Sequence, residues 1–158
     1  MLLHPNKTNF SHLDTESQEI MRQTIFLYWI GNVIHADFLE FVKENKIFAK
    51  LMTPAGYGSE NARWDTSRIA AFTEICGFYG LCYWYTYQVS SLGLGPIWMS
   101  ANEEIKQKAA ALLEEGNIFA FGLSEKEHGA DIYSSGMFVT SKPDGTYSAS
   151  GSKYYRHR

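Results

Sequence analysis

The chain has 158 residues, of which 45% are apolar and 15% aromatic, so it can bury a real core in one domain, or in one domain and part of another. A net charge of −3 argues against nucleic acid or an anionic membrane as the main partner. No run of about 18 apolar residues predicts a membrane span, the first residues do not resemble a secretory signal, and Cys76 and Cys82 favour a reduced, cytoplasmic protein.

Helical patterns dominate the first part of the chain. Residues 15–18, Thr-Glu-Ser-Gln, fit a capping box, and Gly31-Asn32 is expected to end the helix that they begin. A second helix is predicted over residues 37–46, with Phe38, Phe41 and Val42 inward. Residues 53–59 form a loop by composition.

A third helix is predicted to be capped by Asp65 or Thr66 and to be interrupted at Gly80. Its apolar stripe consists of Ile69, Phe72, Ile75, Cys76, Phe78 and Tyr79. A fourth helix is expected to end near Ser91, because residues 93–96, Gly-Leu-Gly-Pro, should break it. This region is apolar nearly all round, which predicts burial between other helices.

The last predicted helix covers residues 103–115. Its capping box is Ser100-Ala-Asn-Glu103, its C-terminal stop is Gly116, and its inward residues are Ile105, Ala109, Leu112 and Leu113. After Gly116 the period becomes strand-like, with strands expected at 117–124, 135–141 and 146–150 and a hairpin turn at Pro143-Asp-Gly145. The pattern predicts an α+β fold, with an all-helical domain over 1–116 and the first strands of an antiparallel β domain over 117–158.

The most informative stretch follows the apolar run Ile118–Leu123, which stops at Ser124-Glu125 and opens into a polar loop. Such a loop can present backbone N–H groups and a hydroxyl to a flat ligand. On spacing alone, Ser124 as a strand cap and Phe121 as a core residue are the commoner explanations. His128 has no second His or Cys at ligand spacing, so no metal site is expected.

Several anchors match the middle-domain signature of a known family, in order and at its spacing. They are Phe-x-Leu-Ser-Glu at 121–125, His-Gly-Ala-Asp at 128–131, Asp-Gly-Thr-Tyr at 144–147 and Gly-Ser-Lys-Tyr-Tyr at 151–155. The chain therefore resembles the acyl-CoA dehydrogenases, most closely over residues 65–155. Two stretches depart from the family pattern: residues 126–128, and Arg156-His157 near the end.

The resemblance implies a set of FAD-binding residues. Leu123 and Ser124 would hydrogen-bond the flavin, and Phe121 and Tyr155 would lie against it. Gly129, Ala130 and Asp131 match the loop that approaches the FAD pyrophosphate and the acyl-CoA substrate, so Ala130 is expected at both ligands. Ala130 replaces the usual serine, which leaves that contact to backbone groups.

The resemblance also implies the reaction, in which a base removes a proton from Cα of a fatty acyl-CoA while Cβ gives a hydride to FAD. No residue matches the family's catalytic carboxylate, which lies in its C-terminal domain. The chain is therefore expected to be a truncated α+β fragment that is inactive alone, with an all-helical N-terminal domain followed by the first strands of an antiparallel β-barrel-like middle domain. The full-length family implies an electron-transfer flavoprotein as acceptor and a homo-oligomer.

Two alternatives stay open at this point. An acyl-CoA oxidase shares the fold and a similar His-Gly loop, and the sequence does not show how open the flavin is to oxygen. A helical interaction protein without cofactor is supported by the aromatic segment 78–87 and by the absence of an identifiable base.

Overall fold

The computed structural model describes residues 9–21, 35–129 and 131–153. Their fold is α+β, as expected: helices form the first part, and a two-stranded antiparallel sheet lies near the C-terminal end. The chain divides into two compact units, Met1–Phe119 and Ala120–Arg158, called the helical unit and the β unit below.

The helical unit contains six helical segments among the described residues. They are α1 (described over 15–21), α2 (His35–Glu44), α3 (Ile47–Met52), α4 (Thr66–Tyr79), α5 (Leu81–Met99) and α6 (Glu103–Glu114). The β unit contains a 3-10 turn (Ile132–Ser134) and the strands β1 (Phe138–Ser141) and β2 (Tyr147–Ser150).

Helix α1 is capped one residue earlier than the capping box predicts. The Asp14 carboxylate accepts hydrogen bonds from the backbone N–H and the hydroxyl of Ser17, at 2.9 and 3.0 Å. Gln18 donates instead to the Leu13 carbonyl, at 2.8 Å. A carboxylate at this position satisfies an orphan N–H and complements the helix dipole, so Asp14 takes the role expected of Thr15. The predicted end of this helix at Gly31-Asn32 lies outside the described residues.

The predicted second helix ends earlier than expected, and a further helix follows it. Helix α2 stops at Glu44, and Lys46, with φ +53°, leads into α3. Phe38 and Val42 are buried, as predicted. The sequence pattern missed α3, because it is buried on nearly all sides and has no polar face to give it a period.

Helices α4 and α5 meet at Gly80, as predicted. Of the two candidate caps of α4, the structure selects Asp65, whose carboxylate accepts from the N–H groups of Ser67 and Arg68. The predicted break at residues 93–96 is wrong, since α5 continues through it to Met99. Leu94 in that segment is fully buried, and its burial offsets an intrinsic helix cost of about 1 kcal/mol for each glycine.

The expectation that residues 78–91 are buried all round is also wrong. Phe78 is 49% exposed and Leu81 is 71% exposed, and Tyr85 faces solvent as well. The inner face carries the rings that form the core. The ring centroid of Tyr83 lies 4.9 Å from that of Phe38, and the Tyr87 ring packs against those of Phe48 and Phe72.

Helix α6 has a different cap from the predicted one. Asn102 accepts from the N–H of Ile105, while the Ser100 hydroxyl donates to the Ile97 carbonyl at the end of α5. Ile105 is 46% exposed, contrary to the prediction, because it lies in the first turn beyond the core. Ala109 and Leu113 are buried, as expected.

Gly116 ends α6, as predicted. Its φ is +84°, and its N–H donates to Leu113 while that of Asn117 donates to Leu112. These two bonds form a Schellman motif, which needs a left-handed residue at this position.

The segment after Gly116 leaves the helix but does not form the predicted strand over 117–124; among the described residues it belongs to no ladder. Instead, the buried Ser90 hydroxyl accepts from the Phe119 N–H and donates to the Phe119 carbonyl, each at 3.2 Å. One side chain therefore satisfies both backbone groups, as a partner strand would.

The two remaining predicted strands are present but shorter. β1 pairs with β2 from Phe138↔Ser150 to Ser141↔Tyr147. The turn forms where predicted, with Gly145 at φ +80° donating to the Lys142 carbonyl. The hairpin is largely exposed on both faces; Phe138 and Val139 are 62% and 63% exposed.

Candidate functional site

The segment Phe121–Glu125 of the β unit offers unpaired hydrogen-bond donors. Phe121 and Ser124 are half-buried, and Leu123 is 43% exposed. Within the described part of the chain, the Ser124 hydroxyl and the N–H groups of Leu123 and Ser124 have no acceptor. Two adjacent N–H groups and a hydroxyl are the donors that the edge of a planar ligand with carbonyl and ring-nitrogen acceptors requires.

The next residue, Glu125, binds two later parts of the β unit, residues 135–137 and Lys153. One carboxylate oxygen, Oε1, accepts from the Ser135 hydroxyl at 2.6 Å, the Met137 N–H at 3.1 Å and the Lys153 ammonium at 2.8 Å. The other, Oε2, accepts from the Gly136 N–H at 2.7 Å. Lys153 also donates to the Ser135 hydroxyl, at 3.0 Å. We call Glu125, Ser135 and Lys153 the carboxylate clamp.

These donors stabilise the charged form of the carboxylate. The Lys153 ammonium, then the Ser135 hydroxyl and the Gly136 N–H, lower the pKa of Glu125 to about 2. Glu125 is therefore an anion throughout the physiological range and a weak proton acceptor.

Two of the motifs from the sequence lie side by side in the β unit. A Cβ on Gly122 would lie 3.8 Å from Cβ of Lys153, so the segment Phe121–Glu125 runs beside Lys153. Gly151 passes so close to Met137 that a Cβ there would lie 2.8 Å from its Cα. The first and last anchors of the resemblance are thus neighbours in space.

The other predicted site residues are not part of this group. Gly129 is exposed, and a Cβ there would meet no atom within 4 Å. Ala130 and Tyr155 lie outside the described residues. Asp131 is exposed, and hydrogen bonding to the Ser134 hydroxyl lowers its pKa.

His128 has a local structural role. Its backbone N–H and carbonyl pair with those of Glu125, which closes the loop that carries both residues. Across the residues that the structure describes, no group of three His, Cys, Asp or Glu side chains could hold a metal ion. No helix among the described residues is long and apolar enough to cross a membrane.

The sequence identified Ser124 and Glu125 as neighbours in a motif but gave Glu125 no role. The signal was present, because the glutamate and the lysine belong to the first and last anchors. Its meaning depends on the chain folding back over 28 residues to bring Lys153 to Glu125.

Comparison with known proteins gives a local similarity. No protein-family model matches the chain. The short-chain specific acyl-CoA dehydrogenase of Megasphaera elsdenii is 39% identical over 66 residues, which are 41% of this chain and 17% of the relative. The match therefore spans less than a fifth of the relative's length. It supports the resemblance to acyl-CoA dehydrogenases over that stretch.

Proposed function

We propose that the chain contributes the N-terminal helical domain, residues 1–116, and the start of the middle β domain, residues 117–158, to a flavin-dependent acyl-CoA dehydrogenase. The observation that carries the proposal is the segment Phe121–Glu125: its donors are unpaired at Ser124, and it lies against Lys153 of the last matched anchor. The local identity to an acyl-CoA dehydrogenase supports the same assignment.

In this proposal FAD supplies the acceptor for the hydride that leaves Cβ of the acyl thioester. Leu123 and Ser124 donate hydrogen bonds to the flavin edge, and Phe121 packs against its ring. Backbone groups of Gly129 and Ala130 approach the pyrophosphate and the acyl-CoA, where a residue without a large side chain allows close contact. Tyr155 provides a second aromatic face.

The proton from Cα needs a base that the described site does not supply. The Glu125 carboxylate already accepts hydrogen bonds from four donors, and its pKa of about 2 makes it a poor proton acceptor. We therefore predict no dehydrogenase turnover from this chain alone. Acyl-CoA as substrate, an electron-transfer flavoprotein as acceptor, a homo-oligomer and a cytoplasmic location remain predictions for the whole enzyme.

The experiment is a titration of the purified chain with FAD, followed by flavin fluorescence. We expect saturable binding that Ser124→Ala weakens by about tenfold, the usual effect of losing a hydrogen bond from a ligand site. Ser152→Ala is the matched control, since Ser152 is exposed on the neighbouring anchor. A wild-type chain that binds no FAD contradicts the flavin proposal, and dye reduction with added acyl-CoA contradicts the prediction of inactivity.

An acyl-CoA oxidase is the close alternative, and the two enzymes differ in how the reduced flavin is reoxidised. Reoxidation by molecular oxygen would favour the oxidase, whereas reoxidation by an electron-transfer flavoprotein would favour the dehydrogenase. Comparing the two reoxidation rates requires a flavin that substrate has reduced. The chain is therefore first joined to a domain that supplies the base.

A cofactor-free interaction module is favoured by one observation, the exposure of large apolar side chains at the end of α4 and the start of α5. Phe78, Leu81 and Tyr85 are between 44% and 71% exposed, and α5 has no charged residue. Such a patch is typical of a protein-binding surface. A colourless chain that self-associates in sedimentation experiments, and does so less after Leu81→Ser, would support this function instead.

A further inference from the structure

The carboxylate clamp concentrates charged hydrogen bonds at one point of an otherwise exposed unit. The Glu125 side chain is 10% exposed and that of Lys153 is 21% exposed, whereas the hairpin residues Phe138 and Val139 are mostly exposed. The described residues of the β unit thus provide little apolar burial to fix the course of its loops. Charge-assisted hydrogen bonds, which are roughly twice as strong as neutral ones, take that role.

The proton directions within the clamp are fixed by its chemistry. Lys153 donates to both Glu125 and Ser135 and cannot accept. The Ser135 hydroxyl therefore accepts from Lys153 and gives its own proton to Glu125. All three side chains are thus joined in one consistent network.

The clamp is attached to the two segments that the proposed function assigns to the flavin. Glu125 directly follows Ser124, so fixing its carboxylate fixes the backbone that carries the unpaired N–H groups. Lys153 precedes Tyr155 by two residues. The same three side chains thus hold the backbone at Glu125 and at Lys153 at a set separation.

From this arrangement we infer that Glu125, Ser135 and Lys153 are positioning residues for the flavin edge. They keep the donors of Leu123 and Ser124 aligned before the ligand arrives, and a ligand meeting preorganised donors does not have to order them. This inference rests on the proposed function for its ligand, while the ordering of residues 121–137 by the clamp can be measured without any ligand.

The test uses the full chain in two clamp variants, two controls and a rescue variant, Lys153→Arg. Glu125→Gln removes the charge and leaves a side chain that cannot accept from all four donors; Lys153→Met removes the ammonium but keeps much of the stem. Their matched controls are Glu127→Gln and Lys126→Met, exposed neighbours in the same loop. Each variant is titrated with FAD, and amide hydrogen exchange is measured without ligand.

We expect Glu125→Gln and Lys153→Met to raise the Kd for FAD by about tenfold or more, and both controls to change it less than about twofold. Exchange at the Gly136 and Met137 amides should accelerate in the two clamp variants while α4 and α5 stay protected. Lys153→Arg, which keeps the charge and the donors, should restore most of the affinity. A purely local stabilising role would accelerate exchange without changing the Kd.

The outcomes separate this inference from the proposed function. Wild-type binding that the clamp variants leave unchanged overturns the positioning role and leaves the flavin proposal standing. A wild-type chain that takes up no FAD overturns the flavin proposal and, with it, the ligand part of this inference. Unchanged amide exchange at Gly136 and Met137 in Glu125→Gln overturns the clamp itself.

Discussion

In the helical unit, Phe38, Phe48 and Phe72 are at most 2% exposed and meet the tyrosines of α5 edge to face or tilted. In the β unit, Phe138 and Val139 of β1 are more than half exposed. The Glu125 carboxylate instead gathers hydrogen bonds from other parts of the unit. One unit is held by removing apolar surface from water and the other by directed hydrogen bonds. The two should therefore respond to different perturbations, core truncation in the first and loss of charge in the second.

The largest expected effect is truncation of the aromatic core. Phe72→Ala removes a fully buried ring that lies 5.1 Å from Tyr87 between centroids, and should lower the free energy of unfolding by about 3–5 kcal/mol. Phe78→Ala on the same helix should cost less than about 1 kcal/mol, since that ring is 49% exposed. Urea denaturation followed by helical ellipticity measures both, and equal losses would show that the helical unit is not organised by burial.

A smaller effect is expected at the end of α6. An alanine at 116 must adopt the left-handed conformation, and its Cβ would lie 2.8 Å from Cβ of Lys43 and closer still to its Cγ. Gly116→Ala should therefore cost about 2 kcal/mol in the same denaturation.

The matched control is Gly95→Ala within α5, where a Cβ would meet no atom within 4 Å. It should stabilise the chain by about 0.5–1 kcal/mol, because alanine loses less backbone freedom in a helix than glycine. Equal stability of the two variants would contradict the role assigned to Gly116.

The smallest effect on global unfolding, and the one specific to the β unit, should come from acid. The pKa of Glu125 is lowered in the folded chain to about 2 from 4.5. The contribution of the Glu125 carboxylate to the free energy of unfolding is thus complete above about pH 4.5 and is lost as the pH falls from there through 2. The amide resonances of Gly136 and Met137 should shift together over that window, measured by NMR, and Glu125→Gln should abolish the shared titration. Independent midpoints for the two amides would argue against a common carboxylate.

The sequence was sufficient where a single residue type satisfies a local requirement. Gly116 as a stop and Gly145 in the hairpin each follow from backbone groups within a few residues, and the same reasoning restricted the cap of α4 to Asp65 or Thr66. It was insufficient where distant burial decides, as in the continuation of α5 through Leu94 or in α3, whose apolar residues show no period.

In the candidate site, too, local sequence was sufficient for some residues and distant contacts decided others. Ser124 could be identified because its motif is continuous, and the structure places it half-buried with its hydroxyl unpaired among the described residues. The partners of Glu125 could not be deduced, because two of them are backbone N–H groups, of Gly136 and Met137, which carry no residue-type signal. The predicted roles of all the cofactor-site residues remain predictions: Phe121, Leu123, Ser124, Gly129, Ala130 and Tyr155.

The double hydrogen bond between Ser90 and Phe119 has a consequence for insertions. Gly116 is fixed by the Schellman bonds and Phe119 by a buried hydroxyl on α5, so the stretch between them is anchored at both ends. An extra residue there would have to loop outward or detach one anchor. From Ala120 onward, where the second unit begins, added length would leave both anchors in place.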